Sequence, residues 1–165
     1  MNSALSKVDT LLAERKIKDV LEELRRLFNA SARDRALQGE LFSWVIAHVG
    51  DEHPQLGADI ALFGGALVEA GAAAGPFGKA LIAPIERALV DAARMLVLAQ
   101  NMGAELSEDG SVQPDKTSHV IAGRVLSKED LHEISAHDAA AVRAWFSLER
   151  WYMPAVAAWT RDLGV

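Results

Sequence analysis

At 165 residues, half of them hydrophobic and about a quarter charged, the chain has a globular composition and enough length to bury a core without staples, so it reads as one domain over residues 1–165. Zero cysteines exclude disulfides, thiol nucleophiles and thiolate metal sites, and they suit a reducing, cytoplasmic setting. The net charge of −6, with five Lys/Arg against ten Asp/Glu between residues 51 and 126, argues against a general nucleic-acid binder, which needs a basic footprint.

Met1 to Lys18 lacks the apolar run of a secretion signal. Leu5, Val8 and Leu12 then make a short amphipathic stripe, with Ser3 a candidate N-cap. A second stripe, Ile17, Val20, Leu21, Leu24, Leu27 and Phe28, lies about 150° out of phase with the first when counted at 100° per residue. One straight helix cannot bury both on one side, so a turn is expected at Glu14–Lys16. Glu14–Lys18 and Glu22–Arg26 have the spacing of surface ion pairs. Ser31 to Asp34 has the form of a capping box opening a helix through Leu37, Leu41, Trp44, Val45 and His48, which Gly50 ends.

His53-Pro54 starts a Gly/Ala-rich helix to about Ala73. Its apolar stripe is Leu56, Ile60, Phe63 and Leu67; Gly57, Ala61, Gly64 and Ala72 share another side, where small residues let a neighbouring backbone come close. The same segment is too poor in large apolar residues to span a membrane. Gly75-Pro76 reads as a tight connection, and a helix after Pro84 runs to Met102 with a core stripe of Ile85, Ala88, Leu89, Ala92, Leu96 and Ala99. Val90 and Val97 fall outside that stripe, one heptad apart, beside Glu86 and Arg94; this row is a candidate interface.

Gly103 to Ser118 is too long for an ordinary helix connection, lacks the alternating oxygen ligands of a calcium loop and is expected to be mobile. His119 to Leu126 reads as an extended segment. Ser127–Asp130 and Ser135–Asp138 are two further cap signals, so a short helix precedes the last one. That last helix, Asp138 to Asp162, carries three of the four tryptophans. Val142, Trp145, Phe146, Leu148, Trp151, Tyr152, Met153, Val156 and Trp159 cover an arc of roughly 220°, which predicts a central, nearly surrounded helix kinked at Pro154. The fold class is therefore all-α: a compact antiparallel bundle or short helical-hairpin array of six to eight helices with one long polar loop.

The candidate chemistry is sparse. Glu129-x-x-His132 matches half of a helical di-iron site, but there is no second copy. His132 and His137 are five apart, not the four of a zinc-protease helix. Glu129, His132 and His137 are therefore weak metal candidates, and no cofactor is implied. No Gly-x-Ser-x-Gly elbow or phosphate-binding glycine loop is present. Glu149 is the one residue that breaks a local rule, because it falls inside the apolar arc. A carboxylate buried there would need a cation such as Arg94, His48 or His132, or would take up a proton.

These features point to a non-enzymatic helical protein-interaction module (an adaptor, assembly factor or immunity-type protein) whose partner is another protein or a second copy of itself, with neither nucleic acid nor membrane involved. The competing reading is a helical-bundle enzyme, or a small-ligand or metal binder, using Glu149 with His132 or His48. The Ala/Leu/Arg-rich style suggests a high-GC bacterial genome.

Overall fold

The computed structural model describes residues 5–50, 53–106, 114 and 116–162, with Pro54 and Asp162 described by their backbone alone. The architecture is all-α with a small sheet. Six helices, α1 (Ser6–Ala13), α2 (Ile17–Ser31), α3 (Arg35–His48), α4 (Pro54–Glu69), α5 (Ala74–Met102) and α6 (Lys128–Asp162), accompany three short strands, β1 (Ala104–Glu105), β2 (His119–Ile121) and β3 (Arg124–Leu126). Contacts group the chain into two compact units, residues 1–85 with 149–165, and residues 86–148. Among the described residues no helix is long and apolar enough to cross a membrane.

In the first unit α1 to α4 pack in succession, each against the next, and α2 also touches α4. Arg15, at φ 55°, turns the chain between α1 and α2, where the phase change of the two stripes requires it. Val20, Leu24, Leu27, Leu41, Leu56, Ile60, Leu67, Phe77 and Leu81 form the core. The glycines of α4 serve close packing. A methyl group at Gly64 would overlap the Phe77 ring and Val45, and one at Gly65 would sit 3.1 Å from the Pro154 backbone. Phe77 also meets Phe42, with ring centroids 6.0 Å apart. Gly75 and Pro76 lie in the first turn of α5, where a proline's missing N–H costs nothing, and α5 continues through Pro84 to Met102. The expected break before Pro84 is absent.

In the second unit β3 is the middle strand of an antiparallel sheet of order β1-β3-β2. Register pairs His119 with Leu126, Val120 with Val125 and Ile121 with Arg124. Ala122 and Gly123 join the strands with φ of 50° and 76°, the two left-handed residues of the hairpin turn that suits strand twist. The extended reading of this segment holds. Ala104 and Glu105 pair with β3, so the start of the Gly103–Ser118 segment, expected to be mobile, is tied into the sheet; its residues 107–113 and 115 lie outside the described residues, as does Ser3. Met95, Ala99, Ile121, Leu126, Ile134 and Ala141 make the core of this unit.

Helix caps explain the boundaries. Ser127 and Asp130 form a reciprocal box: the Asp130 N–H donates to Ser127 Oγ at 3.1 Å and the Ser127 N–H donates to Asp130 Oδ2 at 2.8 Å. The other two Ser-x-x-Asp signals work differently from the expectation. Asp34, not Ser31, caps α3 by accepting from the N–H groups of Ala36 and Leu37. Ser31 ends α2 with its hydroxyl on the Phe28 carbonyl. Asp138, with non-helical φ −144° and ψ 76°, interrupts α6 and accepts the Ala141 N–H, so the cap there is Asp138 rather than Ser135. After it the helix continues through Pro154.

Candidate functional site

Helix α5 is apolar on two opposite sides. Counted at 100° per residue, Ala88, Ala92, Met95 and Ala99 share one side and are buried. The opposite side carries Glu86, Val90, Ala93, Val97 and Gln100, with Leu89 on its flank, all of them exposed. Leu89 is 53% exposed, Val90 64% and Val97 58%. Leu89 therefore leaves the core stripe it was expected to join, and Met95, fully buried, joins it instead. The outward row runs Glu86, Val90, Ala93, Val97, Gln100, a spacing of four, three, four and three, which is the seam of a coiled coil. A small residue, Ala93, stands at its centre and a polar residue at each end.

Arg94, beside this row, is committed within the chain. Its Nε donates to Asp138 Oδ2 at 2.7 Å, and its Nη1 donates to Asp91 Oδ1 at 2.6 Å. The hydrogen bond to Asp138, then that to Asp91, raises the guanidinium pKa, while the same bond lowers that of Asp138. Arg94 is thus a clamp between α5 and the break in α6 rather than the partner of Glu149.

Glu149 corrects the expectation placed on it. It is exposed, and it makes no hydrogen bond or ion pair among the described residues. Part of the expected apolar arc is solvent-facing as well, with Tyr152 at 67% and Met153 at 62% exposure, while Val142, Trp145, Leu148 and Val156 are half-buried and Trp151 is buried. The buried side of α6 is instead Ala141, Ala144, Ser147, Trp151, Ala155 and Ala158. Five of these six are alanine or serine, invisible to a count of bulky apolar residues, and Trp151 is the large ring among them. In the first unit two of the helix's rings meet glycines: the buried Trp151 lies over Gly57 and the half-exposed Trp159 over Gly78. His48 is likewise occupied locally, its Nδ1 2.8 Å from the Trp44 carbonyl and its ring stacked on Trp44.

Glu129, His132 and His137 are all exposed. Among the described residues no three His, Asp or Glu side chains come together in a way that would hold a metal ion.

Among the described residues the buried carboxylate is Glu23, at 5% exposure. It accepts from Lys7 Nζ at 2.9 Å and from Arg26 Nε at 3.0 Å. The hydrogen bond from Arg26 dominates, burial opposes it and Lys7 adds to it, so the carboxyl pKa falls to about 2. The expected pairs Glu22–Arg26 and Glu14–Lys18 are replaced by Glu23–Arg26, Lys18–Glu22 and Glu14–Lys16. Glu23 flanks the buried stripe of α2 by about one side-chain position, a signal present in the periodicity, but only the return of α1 brings Lys7 over it.

No protein-family model, curated protein or solved structure matches this chain.

Proposed function

We propose that this chain is a non-enzymatic helical interaction module that associates with a second copy of itself along the outward row of α5. The observation that carries the reading is a helix apolar on both sides, with Leu89, Val90 and Val97 more than half exposed opposite an already buried stripe. Burying such side chains is worth roughly 1.5–3 kcal/mol each, so leaving a row of them in water is costly unless something covers it. The row is nearly self-complementary. In a twofold antiparallel pairing centred on Ala93, Leu89 and Val90 of one helix meet Val97 of the other, and Glu86 meets Gln100, a carboxylate facing an amide donor. Arg94, neutralised by Asp91 and Asp138, flanks the seam without imposing an unpaired charge. Adaptors, assembly factors and immunity-type proteins work through faces of this kind, and the absence of cysteine suits a reducing, cytoplasmic setting for one.

Light scattering across a concentration series tests it. The expected result is a concentration-dependent dimer that Val90→Lys with Val97→Lys converts to a monomer of unchanged helicity. A wild-type monomer at the highest concentration, or a dimer indifferent to the double substitution, overturns the reading.

A further inference from the structure

Helices α2 and α4 enclose an open groove of about 420 Å³ in the first unit, lined by Leu21, Arg25, Phe28 and Asn29 from α2 and by Asp59, Leu62, Phe63 and Ala66 from α4. Each set has the three-and-four spacing of one helix face, so the walls are two parallel rows of side chains. The floor is apolar: the Phe28 and Phe63 rings lie 6.2 Å apart at 60°, and Leu62 stands exposed beside them. A volume of this size and an apolar lining with a few polar groups are what small-molecule sites share.

The charges at the rim decide what the groove would take. Asp59, half-buried, is already matched: Arg150 Nη1 donates to its Oδ1 at 2.8 Å. A cationic ligand would have to displace that arginine. Arg25, by contrast, is exposed and makes no ion pair or hydrogen bond with its side chain among the described residues. Asn29, one turn further along α2, puts an amide donor on the same side. A guanidinium and an amide four residues apart on a helix can both donate to one carboxylate, while an apolar tail lies over Phe28, Leu62 and Phe63.

We infer that the α2–α4 groove is a binding site for a small amphipathic carboxylate, its head group held by Arg25 and Asn29 and its apolar tail laid on the Phe28–Phe63 floor. This site is separate from the α5 row and does not depend on self-association.

Isothermal titration of the full chain with decanoate tests the assignment. The expected result is saturable binding at one site per chain, weaker for decylammonium than for decanoate. Arg25→Glu should weaken decanoate roughly tenfold or more, the loss of one charge-assisted hydrogen bond. Leu62→Asp, at a position already exposed, should weaken it through the tail. Both variants should keep the wild-type circular dichroism, since neither side chain is buried. A sedimentation arm with phosphatidylglycerol vesicles separates a free carboxylate from an anionic bilayer surface. Decanoate binding without vesicle binding supports the site as drawn. No saturable binding, equal affinity for decanoate and decylammonium, indifference to Arg25→Glu, or vesicle binding alone would each overturn it.

Discussion

The two units solve the problem of a small core in different ways. Residues 1–85 with 149–165 pack large side chains against glycines: Phe77 over Gly64, Trp151 over Gly57 and Trp159 over Gly78. Residues 86–148 pack a shorter set, Met95, Ala99, Ile121, Leu126, Ile134 and Ala141, in which two members are alanines and two come from a hairpin. In the first unit the cost of glycine in a helix is offset by an aromatic ring lying where a side chain would be. In the second, two alanines stand beside Met95 and Ile134, and the hairpin's strands contribute Ile121 and Leu126. Tight ring-on-glycine packing should tolerate volume changes least.

Phe77→Ala therefore has the largest expected effect, a loss of about 3–5 kcal/mol in urea unfolding, because the ring is fully buried against both Phe42 and Gly64. Gly64→Ala should cost about 1–3 kcal/mol by overpacking, despite alanine's better helix propensity. The two are coupled: in the Phe77→Ala background the methyl at Gly64 has room, and its cost should shrink or change sign. Ile134→Ala probes the other unit with the same class of deletion. A loss equal to that of Phe77→Ala would erase the contrast between the units.

Glu23 sharpens the comparison on the electrostatic side, since it is the buried, doubly paired carboxylate of the first unit. Its folded pKa, about 2, lies below the reference value of 4.5. The sign follows from linkage: its contribution is complete above pH 4.5 and is lost as pH falls from there towards 2. Glu23→Gln should cost about 1–2 kcal/mol at pH 7, less than the shift alone implies because both cations are largely exposed and screened. Wild type and variant should converge only as pH falls to about 2. Convergence already at pH 5 would mean that the carboxylate carries no depressed pKa.

How legible each unit was follows from what periodicity can see. The helices α1 to α4, the turn at Arg15 and the packing role of Gly57 and Gly64 were readable because stripes of Leu, Ile and Val at helical spacing point to one buried side. The same reading misplaced Glu149 and the centre of α6. It weighted Tyr152, Met153 and Trp159 as core, although they are exposed and Trp151 is the large member of a buried row otherwise made of Ala141, Ala144, Ser147, Ala155 and Ala158. Alanine and serine are neutral to hydropathy, yet they are what lets helices approach. Glu23 was missed for a different reason: one of its two cations is Lys7, sixteen residues away, and no local pattern encodes that pairing. The α2–α4 groove is equally non-local, since its two rows belong to helices separated by α3. The outward row of Val90 and Val97 was visible because a second stripe on one helix is a local fact.

The smallest expected effect belongs to Asp138, where one carboxylate does two separable things. It caps the helix beyond the break by accepting the Ala141 N–H at 3.0 Å, and it holds Arg94 of α5 with both oxygens. Asparagine retains an acceptor for the cap but removes the charge; alanine removes both. Asp138→Ala should therefore unfold at lower urea than Asp138→Asn by about 1 kcal/mol, the usual worth of an N-cap. The Asn variant should differ from wild type only slightly, and the difference should fade in high salt, because an exposed ion pair is screened. Acid provides an independent check. The hydrogen bond from Arg94 lowers the Asp138 pKa below 3.8, so its charge contribution is present above that value and disappears as pH falls beneath it. At such pH the Asn variant and wild type should coincide while Ala remains weaker. Equal stability of the Ala and Asn variants would show that the break in α6 is held by the Arg94 clamp and not by its cap.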